Sequence, residues 1–140
     1  MIYKLKTPLY RVMIELSFDM QEAYDRYGLG KPDPNYDGEV SFITNLDGMT
    51  HISIIIPYET YSANVLAHES VHAAWRVLDL VGIKATSDND EPLAYLVGWI
   101  AGEVNNKFAK EVKKVAAKNK LIEEANAMAN KNETKKKGKK

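Results

Sequence analysis

Cysteine is absent from this chain of 140 residues. A disulfide framework and a thiolate metal site are therefore both excluded, and a bound metal ion would need nitrogen and oxygen ligands. The absence of cysteine also fits a reducing compartment.

Long hydrophobic runs are absent as well. At the N-terminus, Lys4, Lys6 and Arg11 interrupt the apolar residues, so no signal-peptide h-region or cleavage site is present. No other stretch reaches the length that a membrane span requires. We therefore expect a soluble, cytoplasmic protein that makes no contact with a membrane.

Charge is distributed unevenly, although the formal net charge is zero. From residue 105 to the C-terminus there are 12 lysines and 4 glutamates, so the preceding part of the chain is acidic. We predict one globular domain over residues 1–120 and a basic, disordered tail over residues 121–140, because the tail has few apolar residues to bury. The tail would solubilise the protein or make weak contact with nucleic acid or an acidic partner.

The first half of the chain alternates between strand and helix patterns. Apolar residues at every second position over 10–18 predict a strand, although a helical period also fits this segment. A short helix follows, which Ser17 or Asp19 can cap and Gly28 can end. Two β-rich runs, 39–44 and 50–58, then flank a turn at Asp47 and Gly48, which predicts a hairpin.

The second half is predicted to be helical. A helix over residues 60–82 has apolar residues around much of its circumference, so we expect burial on most sides, with Thr60 or Ser62 as its cap. A second helix is predicted to start at Ser87 or Asp88, and a charged C-terminal helix from about residue 105. The fold class is therefore α+β, with a small sheet, a long helix and a following helix.

The motif "HESVH" places His68 and His72 four residues apart in the first of these helices. Side chains at positions i and i+4 lie on the same face of a helix, so the two imidazoles can converge on one metal ion. Glu69 lies between them and can reach a metal-bound water. This spacing predicts a zinc site held by two nitrogens.

A catalytic zinc site has three protein ligands and one open position. Eighteen residues separate His72 from Glu91, which is enough chain to end one helix, turn, and bring a carboxylate back. Glu91 lies in the first turn of the next predicted helix and is the candidate third ligand.

The segments "HESVH" and "EPLA" together resemble the HExxH and ExxA motifs of the gluzincin zinc metallopeptidases, over about residues 62–102. The resemblance implies a minimal zincin-like domain that hydrolyses a peptide or protein substrate. It also implies Zn²⁺ bound by His68, His72 and Glu91, with Glu69 as general base. Ala94, one turn after Glu91, would let the two helices pack closely.

The chain departs from the family pattern after the second motif. Full-size gluzincins have a C-terminal subdomain that supplies a His or Tyr to stabilise the oxyanion, and little chain is left here to form one. The candidates for this role are Tyr95, which could instead support a metal ligand, and Tyr58, Tyr61 and His51.

Two alternatives to an active peptidase are left open by the sequence. A zincin-like scaffold could bind metal without catalysis and act as a partner-binding protein. Alternatively, the two histidines could pair with carboxylates and bind no metal, although this would bury polar groups in a mostly apolar setting.

Overall fold

A computed structural model describes the backbone of residues 1–137 and the side chains of residues 1–128. Four strands and three helices lie within these residues, and this arrangement confirms the predicted α+β fold class. In chain order they are β1 (Ile2–Lys6), β2 (Met13–Ser17), α1 (Met20–Tyr27), β3 (Glu39–Thr44), β4 (Thr50–Ile55), α2 (Ala63–Leu80) and α3 (Glu91–Lys137).

The strands form one mixed sheet in the order β1-β2-β4-β3. β2 and β4 are parallel, whereas β1 and β3 each run antiparallel to their neighbour. The predicted strand over residues 10–18 is confirmed in type but begins only at Met13, and the hairpin of β3 and β4 is confirmed. β1 was missed because Lys4 and Lys6 obscure its apolar positions. β3 forms one edge of the sheet.

One face of the sheet carries the main apolar core. The register places Ile14 opposite Ile52 and Leu16 opposite Ile54, and all four are at most 1% exposed. Helix α2 lies on this face, where Arg76 stands over the ring of Phe42, the residue paired with Ile52. The α2 residues buried here are Ala73, Ala74, Val77 and Leu78.

Helix α1 packs on the opposite face of the sheet, where an apolar cluster of Ala23, Tyr24 and Ile55 lies beside a polar group around Glu15. Glu15 of β2 is 5% exposed and accepts a hydrogen bond from the Tyr27 phenol at 2.8 Å. Arg26 donates to the same carboxylate at 3.3 Å and 3.4 Å. His51 of β4 lies 3.5 Å from Glu15 on this face. The ion pair therefore joins α1 to the sheet.

The helix boundaries follow capping chemistry. Asp19, one of the two predicted caps of α1, accepts a hydrogen bond from the Glu22 N–H at 2.9 Å, and Gly28 ends the helix in the left-handed region at φ 68°. Ser62, one of the two predicted caps of α2, accepts from the Val65 N–H at 3.3 Å. These local predictions are confirmed.

The prediction that α2 is buried on most sides, in contrast, was wrong. Val71 is 40% exposed and Trp75 is 41% exposed, so a substantial part of the helix is open to solvent. The buried α2 side chains lie on the face toward the sheet, and the apolar residues on the other side were misread as core.

Helix α3 also differs from the prediction. It begins at Glu91 rather than near Ser87, and it continues without a break through residues 121–137, where we expected a disordered tail. Alanine, lysine and glutamate are frequent in this stretch and favour helix even without apolar contacts. Residues 138–140 of the expected tail lie outside the described residues.

Two compact units divide the chain after Lys107. The first unit, Met1–Lys107, contains the sheet, α1, α2 and the start of α3, and therefore every predicted site residue. Among the described residues, no helix combines the length and apolar character needed to cross a membrane.

Candidate metal centre and catalytic site

His68 and His72 form a pair on the exposed side of α2. Their Nε2 atoms are 3.1 Å apart and their ring centroids 4.6 Å apart, with the rings nearly perpendicular. Both side chains are exposed. The helix thus brings both Nε2 atoms together on one face, as the spacing predicted.

The separation of these nitrogens fits a shared metal ion. Two nitrogens at zinc–nitrogen distances on a tetrahedral ion lie about 3.3 Å apart. In neutral imidazoles, two Nε2 lone pairs 3.1 Å apart repel each other unless a proton or a cation lies between them. The pair can therefore provide two ligands of a zinc site with little rearrangement.

Glu69 lies directly beside the histidine pair but is almost fully buried, at 6% exposure. Burial raises the pKa of its carboxyl group, while the nearby His68, His72 and Arg76 act in the opposite direction. A carboxylate whose pKa is raised in this way is a better proton acceptor than an exposed one. The surroundings of Glu69 therefore suit a general base.

The backbone of Gly38, immediately before β3, packs against the Glu69 side chain. A Cβ atom added to Gly38 would lie 2.8 Å from Glu69 Cγ and 2.9 Å from its Oε1, closer than such contacts occur in proteins. Glycine is therefore required at this position for the carboxylate to keep its place.

Two adjoining cavities open at this site. The first has a volume of about 340 Å³ and the second about 510 Å³, and His68, Glu69, Tyr36 and Gly38 line both. The first cavity is also lined by Asn35, Asp37, Asn64 and Val65, and the second by Tyr24, Glu39, Val40, His72 and Arg76. A substrate in these cavities would contact both the histidine pair and Glu69.

Glu91 is exposed and forms the first residue of α3. Within residues 1–128, no three or more His, Asp or Glu side chains are grouped closely enough to hold a metal ion, so the structure does not bring Glu91 together with the histidines. Its neighbours Asp90 and Leu93 do line a cavity of about 290 Å³ with Trp75, which follows His72 by three residues. The start of α3 therefore lies beside the second half of α2.

The four residues considered for oxyanion stabilisation lie away from the two cavities. Tyr95 is 47% exposed and, like Tyr58, lines neither of them. Tyr61 donates to Asn105 at 3.0 Å, and His51 is buried beside Glu15 on the opposite face of the sheet. None of the four therefore contacts the space next to His68 and His72.

Three other residues at the site were missed by sequence reasoning. Tyr24 donates to Glu39 at 2.6 Å, and this hydrogen bond, together with burial, raises the pKa of Tyr24 to about 12. Tyr36 lines both cavities from the loop between α1 and β3. No sequence motif links these residues to α2, since only the folded sheet brings them close to this helix. The sequence did predict the loop that contains Tyr36, because it is rich in proline and glycine.

Comparison with protein-family models, with curated proteins and with solved structures gives no match to this chain. The resemblance to gluzincins therefore rests on the residues of the two sequence motifs alone.

Proposed function

We propose that the protein is a zinc-dependent peptidase, with His68 and His72 as metal ligands and Glu69 as general base. The observation that carries this proposal is the 3.1 Å separation of the two Nε2 atoms next to a buried carboxylate and an open cavity. A helix without a metal role would not need two exposed imidazoles aimed at one point beside a carboxylate of raised pKa.

The chemistry divides between the metal and the chain. A bound Zn²⁺ would acidify water and polarise the scissile carbonyl. Glu69 accepts a proton from the attacking water and then delivers it to the nitrogen of the leaving amine. The packing of Gly38 against Glu69 holds the carboxylate in one position during both transfers.

Glu91 is proposed as the third ligand. Asp90 and Leu93, on either side of it, already lie near Trp75 on the same helix as the histidines. Because Glu91 occupies the first turn of α3 and is exposed, a new orientation of its side chain would break no buried contact. Two imidazoles and one carboxylate form a ligand set that occurs in catalytic zinc sites with one open coordination position.

A peptide is the substrate class that the surrounding strand favours. β3 pairs on one side only, with β4, and its residues Glu39 and Val40 line the second cavity. An extended peptide can add to such an edge through main-chain hydrogen bonds. A peptide bound in this way would place one of its peptide bonds next to His68 and Glu69.

The test compares wild type with Glu69→Gln, which preserves the shape of the side chain and removes the base. We expect the variant to bind zinc and to unfold as wild type does, and to hydrolyse peptides about 10²-fold more slowly or worse. A varied peptide library is needed because the preferred sequence is unknown, and a chelator control identifies contaminating proteases of other classes.

Equal hydrolysis by wild type and Glu69→Gln would contradict the proposed mechanism. A wild-type protein that binds zinc but cleaves no peptide would favour a catalytically idle, partner-binding scaffold. In that case, deleting residues 130–140 would abolish binding of a partner that the basic tail contacts, whereas an enzyme would keep its turnover.

A further inference from the structure

Tyr36 is an exposed tyrosine in the wall shared by both cavities. Its side chain is 54% exposed and lies beside His68 and Glu69. In the part of the chain that the structure describes, its phenol has no hydrogen-bond partner. The hydroxyl group is therefore available to a substrate.

The backbone of the loop holds Tyr36 at this wall. Its N–H donates to the Asp33 carbonyl at 3.2 Å, and the Asp33 side chain accepts from the backbone and side chain of Asn35, both at 2.9 Å. Pro32 and Pro34 restrict φ on either side of Asp33. The turn thus fixes the backbone of Tyr36 beside the cavities.

The other tyrosines near the site are already engaged. Tyr24 lines the second cavity, but its phenol donates to Glu39 at 2.6 Å, and using it elsewhere would leave that carboxylate without its partner. Tyr61 donates to Asn105. Tyr36 is therefore the phenol that a substrate in the cavities can reach without breaking an existing hydrogen bond.

Arg76 also lines the second cavity and can donate hydrogen bonds. Its guanidinium lies 5.6 Å from the centroid of the Phe42 ring and donates to the His72 carbonyl at 3.4 Å. These contacts direct it along α2, and it does not line the first cavity, which Tyr36 shares with Glu69. Tyr36 lines both cavities with Glu69 and would give up no existing hydrogen bond to reach a substrate.

We propose that Tyr36 is a catalytic residue that donates a hydrogen bond to the oxyanion formed during peptide hydrolysis. The assignment rests on the proposed peptidase function. Water oxygen forms a bond to the carbonyl carbon, and the C–N bond then breaks. The hydrogens of the water pass by way of Glu69 to the amine, giving a carboxylate and an ammonium group. Tyr36 keeps its proton throughout and stabilises the negative oxygen.

The test is Tyr36→Phe, which removes one exposed hydroxyl group and should leave folding and zinc content unchanged. We expect kcat to fall about 10²-fold with little change in KM, since the interaction forms only in the transition state. Tyr10→Phe is the matched control, because Tyr10 is a partly exposed tyrosine that lines neither cavity.

Binding provides a second readout that does not depend on turnover. A phosphinic analogue of the peptide that wild type cleaves fastest carries a tetrahedral, negatively charged centre, and calorimetry should show a similar loss of affinity for it in Tyr36→Phe. Affinity for the product peptides should not change.

Three outcomes separate the two proposals. An active wild type with unchanged kcat and analogue affinity in Tyr36→Phe overturns the role of Tyr36 alone. A wild type that cleaves no peptide overturns the peptidase and, with it, the role of Tyr36. Equal losses in Tyr36→Phe and Tyr10→Phe also overturn the assignment, because the effect would then not depend on the position of the phenol.

Discussion

Gly38 and Glu69 are in direct contact, although one precedes an edge strand and the other lies on α2. The Cα of Gly38 faces the carboxylate side chain so closely that a methyl group there would approach Glu69 Oε1 to 2.9 Å. The position of the proposed base is therefore set by a backbone that belongs to the sheet.

Gly38→Ala should consequently displace Glu69. We expect kcat to fall by about 10-fold or more, because a small misplacement of a catalytic group has a large effect on rate, while zinc content stays as in wild type. In a Glu69→Gln background, Gly38→Ala should have little further effect on hydrolysis. Steady-state kinetics and zinc analysis of the four proteins test this coupling.

Gly98→Ala is the matched control for this substitution. Gly98 lies in α3, and an added Cβ would meet no atom within 4 Å, so activity should match wild type. Full activity in Gly38→Ala would contradict the proposed dependence of Glu69 on Gly38.

Metal stoichiometry should depend on the histidine pair. We expect one Zn²⁺ per chain, lost in His68→Ala and His72→Ala and bound more weakly in Glu91→Ala. The ligands must be deprotonated to bind the metal ion, so zinc binding should weaken as the pH falls. Elemental analysis after dialysis measures the stoichiometry.

The third histidine supplies the control for that experiment. His51 lies on the other face of the sheet, 3.5 Å from Glu15, so His51→Gln should retain its zinc. Full zinc occupancy in both His68→Ala and His72→Ala would exclude the proposed site.

Local patterns predicted the local structure of this chain. Asp19 and Ser62 satisfy N–H groups within their own first turns, and Asp47 and Gly48 turn the chain between neighbouring strands, so a few adjacent residues determine each feature. The convergence of His68 and His72 is likewise a property of one helical turn.

Contacts between distant segments could not be predicted in this way. The pairing of β2 with β4 as parallel neighbours brings Tyr24, Tyr36 and Gly38 beside α2, and no periodicity in the sequence encodes that pairing. The exposure of Trp75 was missed for the same reason, because an apolar residue gives no sign of whether another element covers it.

Tyr24 and Tyr27 should make the fold sensitive to alkaline pH. Both have a pKa of about 12, Tyr24 mainly through its hydrogen bond to Glu39 and Tyr27 mainly through burial. Since the folded state raises these pKa values above the ordinary value of about 10, it favours the protonated phenols. The stabilisation is present below about pH 10 and is lost as the pH rises toward 12.

Glu39→Gln distinguishes the two tyrosines. Removing the carboxylate charge should lower the pKa of the Tyr24 phenol and leave that of Tyr27 unchanged. An ultraviolet titration of tyrosinate measures both. The same substitution in a Tyr24→Phe background should shift nothing. A shift that persists without Tyr24 would show that Glu39 acts on another group.

Glu15 should contribute stability that disappears in acid. Burial is the largest single influence and opposes its ionisation, but the hydrogen bonds from Tyr27 and Arg26, together with the nearby charges of Arg26 and His51, outweigh it and lower the pKa of the carboxyl group. A carboxyl whose pKa is lower in the folded state stabilises the fold above its unfolded pKa of about 4.3, and the contribution is lost as the pH falls through the folded value.

Glu15→Gln tests this contribution, because it keeps the shape of the side chain and removes the charge that Arg26 and Tyr27 bind. At neutral pH we expect the free energy of unfolding in urea to fall by about 1–3 kcal/mol, the usual size for hydrogen bonds to a charged group. The half-exposed Arg26 keeps the loss toward the lower end, since solvent screens its charge. Below about pH 4 the difference from wild type should shrink, because wild type also loses the charge. Glu59→Gln, at an exposed carboxylate, should follow wild type at every pH. A Glu15→Gln deficit that stays constant from neutral pH into acid would show that packing, and not the charge of Glu15, holds α1 to the sheet.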